Sequence, residues 1–294
     1  MKGWHRIMLS IAFLATFLGH AVGGASVLCT TTIVGDVVRR IAGDDASVDV
    51  LLPIGADPHA FQASPQDAIA VGAADIVFLN GGGLEASLLP LLQGTRGRVV
   101  DLSAGLALRQ HGALGGGADP HVWFDPLFVV EWTRVIAKTL GELDPDHSLL
   151  FDDRAADVTA ELYALDSWIL DRVSSIPPAA RRLVSDHEAF GYFADRYGFE
   201  EIGTVIPGYS TLSEPSAREL AALEDAIRAA GAPCIFVGTT IPAALAEQVA
   251  ADTGTRIVFL YTESLTEADG PAATYFDLMQ FDVDEIVAGL TGSP

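Results

Sequence analysis

Short apolar runs alternate with helical patterns along most of the chain. In the first half the pattern predicts strands at 26–31, 48–52, 75–79 and 98–101, with helices at 33–42, 64–73 and 84–92. In the second half it predicts strands at 182–185, 201–206, 234–237 and 256–261, with helices at 189–197, 216–230, 243–253 and 274–290. Strands that alternate with helices form βαβ units and a parallel sheet. We therefore predict an α/β protein of two lobes, each with a mainly parallel sheet flanked by helices.

Two longer helical patterns lie between these halves. One covers 126–143, and the other begins at Asp146. In the second, apolar residues recur mostly every three or four positions: Leu149, Leu150, Val158, Leu162, Leu165, Ile169 and Val173. Two prolines at 177 and 178 end the second pattern, which is longer than most helices of globular proteins. We predict one long backbone helix at 146–176, which joins an N-terminal lobe (26–145) to a C-terminal lobe (177–294).

The N-terminus has the features of a secretory signal peptide. Lys2 and Arg6 precede an apolar stretch at 7–18, and small residues dominate 21–25. The alternative is a membrane anchor, but the apolar stretch is well short of the roughly 20 residues that span a bilayer. We predict that residues 1–25 are removed and that the mature protein is soluble and periplasmic. Leu28 precedes Cys29 where a lipid-modification site needs a small residue, so we expect no lipid anchor.

The net charge and the number of cysteines exclude some classes of function. The 294 residues carry a net charge of −22, which becomes −24 without the signal peptide. An acidic chain argues against a nucleic-acid partner and weakly suits attraction of cations. The two cysteines, Cys29 and Cys234, are too few for a thiolate zinc cluster. An oxidising compartment permits a disulfide between them, but their predicted strands lie in different halves, so we favour two buried free thiols.

Three histidines lie in loops next to predicted strands or helices. Of the seven in the chain, His5 and His20 fall in the signal peptide. His59 and His121 each end an Ala-Asp-Pro-His tetrapeptide, and His187 follows the strand at 182–185. Proline restricts the backbone on both sides of its own position, and a stiff loop suits a metal ligand that must hold a fixed distance.

Ligands of open α/β sheets bind beyond the carboxyl ends of the strands, where these histidines could meet. Glu263 follows the last predicted strand and could supply a fourth ligand. Three imidazoles and one carboxylate suit a tetrahedral Zn²⁺ site. The alternative is that each histidine is an ordinary surface or buried residue. We interpret His111 and His147 as surface residues, with a weak metal-gathering role open for His111.

Other motifs are less informative. The Asn-Gly-Gly-Gly segment at 80–83 lacks the Lys-Ser/Thr of a P-loop and the spacing of a dinucleotide fingerprint, so we interpret it as a tight turn. The Ser-Asp-His segment at 185–187 has the residue types of a catalytic triad, but sequence neighbours rarely adopt that geometry.

A secreted zinc hydrolase with Glu188 as general base remains an alternative.

Several long motifs together resemble one known family. They are Gly-Ala-Asp-Pro-His-Ala-Phe at 55–61, Asn-Gly-Gly-Gly-Leu-Glu at 80–85, Asp-Pro-His-Val-Trp-Phe-Asp-Pro at 119–126, His-Glu-Ala-Phe-Gly-Tyr-Phe-Ala at 187–194, Ser-Glu-Pro-Ser at 213–216 and Thr-Tyr-Phe-Asp-Leu-Met at 274–279. The chain resembles the metal-specific solute-binding proteins of bacterial ABC transporters, in the zinc and manganese class with a rigid helical backbone. The resemblance covers essentially the whole mature chain.

The resemblance implies a set of metal ligands. They are His59, His121, His187 and Glu263, the last in place of the family's usual aspartate, with Asp269 as the alternative carboxylate. Manganese members typically carry glutamate at the third position, so His187 favours zinc. Many zinc members have a histidine-rich loop before the second ligand, whereas the loop at 112–117 here is short and glycine-rich. Such a loop fits members that receive zinc from a separate periplasmic chaperone.

The expected function follows from the same resemblance. We expect a monomeric periplasmic protein that is not an enzyme and that delivers Zn²⁺, its transported ligand, to an inner-membrane ABC permease. Four protein ligands make a closed site, unlike the open site of catalytic zinc. Manganese or iron binding is the nearest alternative, and a cell-surface adhesin is a more distant one.

Overall fold

The computed structural model describes residues 25–110 and 117–292, and His111 therefore lies outside the described residues. The N-terminal lobe has four strands, β1 (Ala25–Cys29), β2 (Ala46–Val50), β3 (Ile76–Leu79) and β4 (Arg98–Asp101). Its helices are α1 (Thr32–Ala42), α2 (Pro65–Ala73) and the short α3 (Leu89–Leu92). All strand pairs are parallel, and the order in the sheet is β2-β1-β3-β4.

Two helices that follow each other in the chain, α4 (Pro126–Leu143) and α5 (Ser148–Ser174), connect the lobes. The C-terminal lobe then has β5 (Arg182–Ser185), α6 (Gly191–Tyr197), β6 (Glu200–Thr204), α7 (Ala217–Ala230), β7 (Cys234–Gly238), α8 (Ala244–Thr253), β8 (Arg256–Leu260) and α9 (Tyr275–Thr291). Its sheet is also parallel, with the order β6-β5-β7-β8. The predicted fold class, two α/β lobes joined by a long helix, is confirmed.

Local sequence signals set several helix ends. Asp125 caps α4 by accepting a hydrogen bond from the backbone N–H of Leu127, and Pro126 occupies the first helical position. Ser216 and Glu219 form a capping box at the start of α7, and the helix begins where the sequence predicts it. The predicted helix at 84–92 is instead a 3₁₀ turn at 86–88 followed by α3 at 89–92.

The long helix differs from its prediction at its first turn. Residues 145–147 form a 3₁₀ turn, so α5 begins at Ser148. Leu149 and Leu150, which the apolar pattern assigned to the buried face, are 78% and 39% exposed. They are out of phase with the buried stripe of α5, which begins one residue later at Phe151. The buried positions of α5 include Phe151, Val158, Leu162, Leu165, Ile169 and Val173.

A single buried hydrophobic cluster runs through both lobes and the helices between them. It includes Phe78 on β3, Leu162 on α5, Phe236 on β7 and Leu278 on α9. Because this apolar core is continuous, separating the lobes would expose it to water. The predicted role of the long helix as a rigid backbone therefore has a physical basis. In residues 25–110 and 117–292, no helix is long and apolar enough to cross a membrane.

The two cysteines are buried and free, so the preference for free thiols over a disulfide is confirmed. Cys29 lies in β1 and Cys234 in β7, in the two different sheets. Burial raises the pKa of both thiols, that of Cys234 to about 12. Both side chains therefore remain neutral and act as small apolar core residues.

Asp282 on α9 carries a buried carboxyl group, which should make the stability of the folded protein depend on pH. Its Oδ1 accepts a hydrogen bond from the Tyr261 backbone N–H at 2.8 Å, while Oδ2 is buried without a hydrogen bond. Burial, with a smaller contribution from Glu285, raises the pKa of Asp282 to about 8. In the unfolded chain this pKa returns to about 3.9, so the folded protein loses stability as the pH rises from about 4 to about 8.

We expect Asp282→Asn to stabilise the protein at high pH, because the amide oxygen still accepts the Tyr261 bond but carries no charge. The two pKa values differ by about four units, each of which is about 1.4 kcal/mol, so the expected gain is on the order of 5 kcal/mol near pH 8 and close to zero near pH 4. Urea unfolding of both proteins at the two pH values measures it. An equal effect of the substitution at both values would contradict the assignment.

Candidate metal centre

Four polar side chains converge between the two lobes. His59 follows β2 and His121 precedes α4, both in the N-terminal lobe, while His187 follows β5 and Glu263 follows β8 in the C-terminal lobe. One ligand atom from each lies within 4.8 Å of all the others. The carboxyl ends of the parallel strands explain this meeting point, because both sheets direct these ends toward the space between the lobes.

The distances show how closely the side chains approach one another. Nε2 of His121 lies 3.3 Å from Nε2 of His59 and 3.2 Å from Nε2 of His187. Oε1 of Glu263 lies 3.1 Å from Nε2 of His59 and 3.2 Å from Nε2 of His187. The His59 side chain is 6% exposed and the other three are fully buried. Water is thus largely excluded from the cluster.

Two carboxylates orient two of the imidazoles. Nδ1 of His121 lies 2.9 Å from Oδ1 of Asp119, and Nδ1 of His187 lies 2.8 Å from Oδ1 of Asp186. An ionised carboxylate only accepts hydrogen bonds, so each Nδ1 carries a proton and each Nε2 faces the cluster, where the neutral imidazole offers a lone pair. Carboxylate–histidine pairs of this kind are common behind metal ligands.

His59 is held in a different way. The Asp57 carboxylate accepts a hydrogen bond from the His59 backbone N–H at 2.8 Å and another from the Thr211 hydroxyl at 2.6 Å. The first bond fixes the Asp-Pro-His loop, and the second ties it to the C-terminal lobe. The stiffness expected of this tetrapeptide thus has a second source, because Asp57 reinforces what Pro58 restricts.

The segment at 80–83 forms the tight turn that we predict and supports the loop of His121. Its three glycines have positive φ angles, and the Asn80 side-chain amide donates to the Pro120 carbonyl. A Cβ on Gly82 would lie 2.9 Å from Cα of Pro120, so only glycine allows this approach. The buried Glu85 carboxylate accepts from the Asn80 and Gly81 backbone N–H groups and completes the turn.

The electrostatics of the cluster favour mixed protonation. Burial alone would lower the pKa of His187, but the Asp186 and Glu263 carboxylates outweigh it and raise that pKa. Burial dominates for His121 and lowers its pKa, although Asp119 opposes the effect. Burial would raise the pKa of Glu263, yet the imidazoles of His187 and His59 hold it well below its usual range.

The other sequence candidates lie elsewhere. Asp269 is exposed and is not part of the cluster, so the structure places Glu263, and not Asp269, beside the histidines. His147 is exposed and pairs with Asp144, in agreement with its interpretation as a surface residue. Glu188 accepts a hydrogen bond from the Gly208 backbone N–H and is also outside the cluster.

Sequence reasoning missed several supporting residues. Asp119 and Asp186 were part of quoted motifs but had no assigned role, although an aspartate one or two positions before a histidine is a readable signal. No sequence pattern pointed to Thr211 or Thr240, because their contacts join segments that are distant in sequence. Thr240 donates a 2.8 Å hydrogen bond to Oε2 of Glu263.

Two parallel-sheet lobes, a long connecting helix and a buried histidine–carboxylate cluster between the lobes define a metal-binding, solute-binding protein of the ABC transporter type. Residues 27–289 match the model of the family described as zinc-uptake complex component A, periplasmic. The chain belongs to this family. It is therefore a metal-binding component of an ABC transporter rather than an enzyme, and the class acts outside the cytoplasm.

Individual relatives are named for different metals. The manganese-binding lipoprotein MntA of Halalkalibacterium halodurans is 33% identical over 297 residues, which cover 97% of each chain. The iron-binding protein YfeA of Yersinia pestis is 31% identical, over 90% of this chain and 85% of its own. The structure of the periplasmic zinc-binding protein TroA from Treponema pallidum has a TM-score of 0.86 and 29% identity, and the match covers 91% of this chain and 99% of that one.

Proposed function

We propose that this protein binds Zn²⁺ in the periplasm with His59, His121, His187 and Glu263 and delivers it, as a monomer, to an inner-membrane ABC permease. One observation carries the proposal: three Nε2 atoms and one carboxylate oxygen lie within 4.8 Å of one another in a buried space. Three imidazole nitrogens and one carboxylate oxygen packed this closely match the donors of a tetrahedral zinc site.

The donor set favours zinc over manganese. Imidazole suits zinc, copper, iron and nickel, whereas Mn²⁺ prefers carboxylate, carbonyl and water oxygens. Three of the four donors here are nitrogen. The relatives named for manganese and iron show that the metal varies within the family, so the metal must be tested on this chain itself.

Calorimetric titration of the metal-free protein tests the proposal. We expect tight binding of one Zn²⁺ per chain at neutral pH, and we expect that equimolar Mn²⁺ does not displace it. Absence of stoichiometric zinc binding would refute the proposed site. If manganese displaced zinc, the protein would still be a metal-binding protein of this family, but the proposal that its metal is zinc would be wrong.

A further inference from the structure

The two oxygens of the Glu263 carboxylate have different surroundings. Oε2 accepts the 2.8 Å hydrogen bond from the Thr240 hydroxyl. Oε1 makes no hydrogen bond of normal geometry, although it lies 3.1, 3.2 and 3.9 Å from the Nε2 atoms of His59, His187 and His121. One oxygen is therefore held by the protein, and the other faces the three imidazoles.

The sheet topology brings Thr240 to this position. Strands β7 and β8 are parallel neighbours, and Gly238 at the end of β7 pairs with Leu260 at the end of β8. Thr240 comes two residues after β7 and Glu263 three residues after β8, so both lie in adjacent loops at one sheet edge. A Cβ on Gly238 would lie 2.3 Å from Oγ1 of Thr262, and its absence lets these loops pack closely.

The backbone around Glu263 is fixed on both sides. The Thr262 carbonyl accepts a hydrogen bond from the Trp123 indole, and the Leu265 backbone N–H donates to the Thr32 hydroxyl. These bonds leave the carboxylate little freedom to move as a whole. Rotation about its last side-chain bond is intrinsically soft, however, because such sp³–sp² torsions have broad minima. The Thr240 hydrogen bond restricts this remaining rotation.

Building on the function proposed above, we propose that Thr240 is a specificity-determining residue that limits Glu263 to one coordinating oxygen. With Oε2 held, the site offers three nitrogens and one oxygen, the four donors of a tetrahedral zinc site. If Oε2 were free to turn toward the ion, the carboxylate would bind through both oxygens and the site would gain a fifth donor. Higher coordination with more oxygen suits Mn²⁺.

The substitution Thr240→Val tests this role, because it replaces the hydroxyl by a methyl group and keeps the branched shape. We expect the affinity for Mn²⁺ relative to Zn²⁺ to rise about tenfold, at the lower end of the 10–100-fold effects typical of residues that orient metal ligands. Thr240→Ser, which keeps the hydroxyl, is the matched control and should retain the wild-type ratio. Competition titrations of the three proteins with both metals measure it.

The visible absorption of the Co²⁺-substituted proteins gives a second readout. Wild type and Thr240→Ser should show the intense bands of a four-coordinate ion, and Thr240→Val the weaker bands of a five-coordinate ion. Thr240→Ala serves the same purpose if the valine variant does not fold, as judged by circular dichroism.

Three results would overturn the inference: an unchanged metal ratio in Thr240→Val, an equal loss of affinity for both metals, or a serine variant that behaves like valine. Failure of the wild-type protein to bind any of the metals would instead refute the proposed function.

Discussion

Replacing His121 with alanine should abolish stoichiometric zinc binding and leave the fold intact. Nε2 of His121 lies within 3.3 Å of both neighbouring imidazole nitrogens, so its loss removes the central donor of the cluster. Removing a residue that only orients a ligand typically costs 10–100-fold in affinity, and removing the ligand itself should weaken binding by more than about 100-fold. Calorimetric titration of the metal-free variant with Zn²⁺ measures the loss.

His147→Ala is the matched control for this experiment. The same side chain is removed, but His147 is exposed, lies outside the cluster and pairs with Asp144 and Asp45. We expect wild-type zinc affinity for this variant. If His121→Ala bound zinc as tightly as His147→Ala, the proposed ligand set would be wrong, whichever metal the protein carries.

Much of the fold was predictable because local chemistry determines where elements begin and end. The bounds of α4 agree with the predicted helix at 126–143, because an aspartate cap and a proline stand at its start and an Asp-Pro pair follows its end. Predicted strands were less accurate at their ends. The predicted strand 26–31 stops at Cys29 in the structure, although Thr30 still donates a backbone hydrogen bond to Phe78.

Leu149 and Leu150 show that an apolar residue must also be in phase with a helix face. Phe151 lies seven residues before Val158 and is buried, whereas Leu149 and Leu150 lie nine and eight residues before it, fall off that face and are exposed. A periodic pattern states which residues share a face. Apolar residues that are out of phase with the pattern do not belong to that face.

The sequence singled out the residues of the candidate cluster but not the contacts that hold them. His59 and His121 were singled out by their tetrapeptides and Glu263 by its place after the last predicted strand, while the family resemblance left Asp269 as the alternative carboxylate. The structure favours Glu263 because hydrogen bonds from the N-terminal lobe hold both of its neighbours, Ser264 by Gly55 and Thr262 by Trp123. These partners lie more than a hundred residues away in the chain, so no local pattern could reveal them.

The same contacts bear on how the protein holds and releases a metal ion. Direct hydrogen bonds already join the lobes around the cluster, among them Thr211 to Asp57 and the Tyr275 hydroxyl to the Trp123 carbonyl. Together with the continuous hydrophobic core, they keep the lobes associated without an ion. We therefore expect metal release to depend on movement of the ligand loops more than on rotation of whole lobes.

Removal of the metal should accordingly lower thermal stability without changing the secondary structure. An ion bound only by the folded state stabilises it by about 4 kcal/mol when its free concentration is 1,000 times the Kd. For a chain of this size each kcal/mol shifts the Tm by about 2–4 °C, so saturating zinc should raise the Tm by roughly 10 °C over the chelator-treated protein. Thermal melts followed by far-ultraviolet circular dichroism, with zinc and with excess chelator, measure the shift.

Two variants show whether the Tm shift comes from zinc bound at the cluster. His121→Ala should melt at the same temperature with and without zinc, because it lacks the central donor, whereas His147→Ala should show the full shift. The spectra at 25 °C should coincide with and without metal, since the lobes remain joined by their own hydrogen bonds and core. A chelator-treated protein that lost helical signal at this temperature would show that the ion, and not these contacts, holds the lobes together.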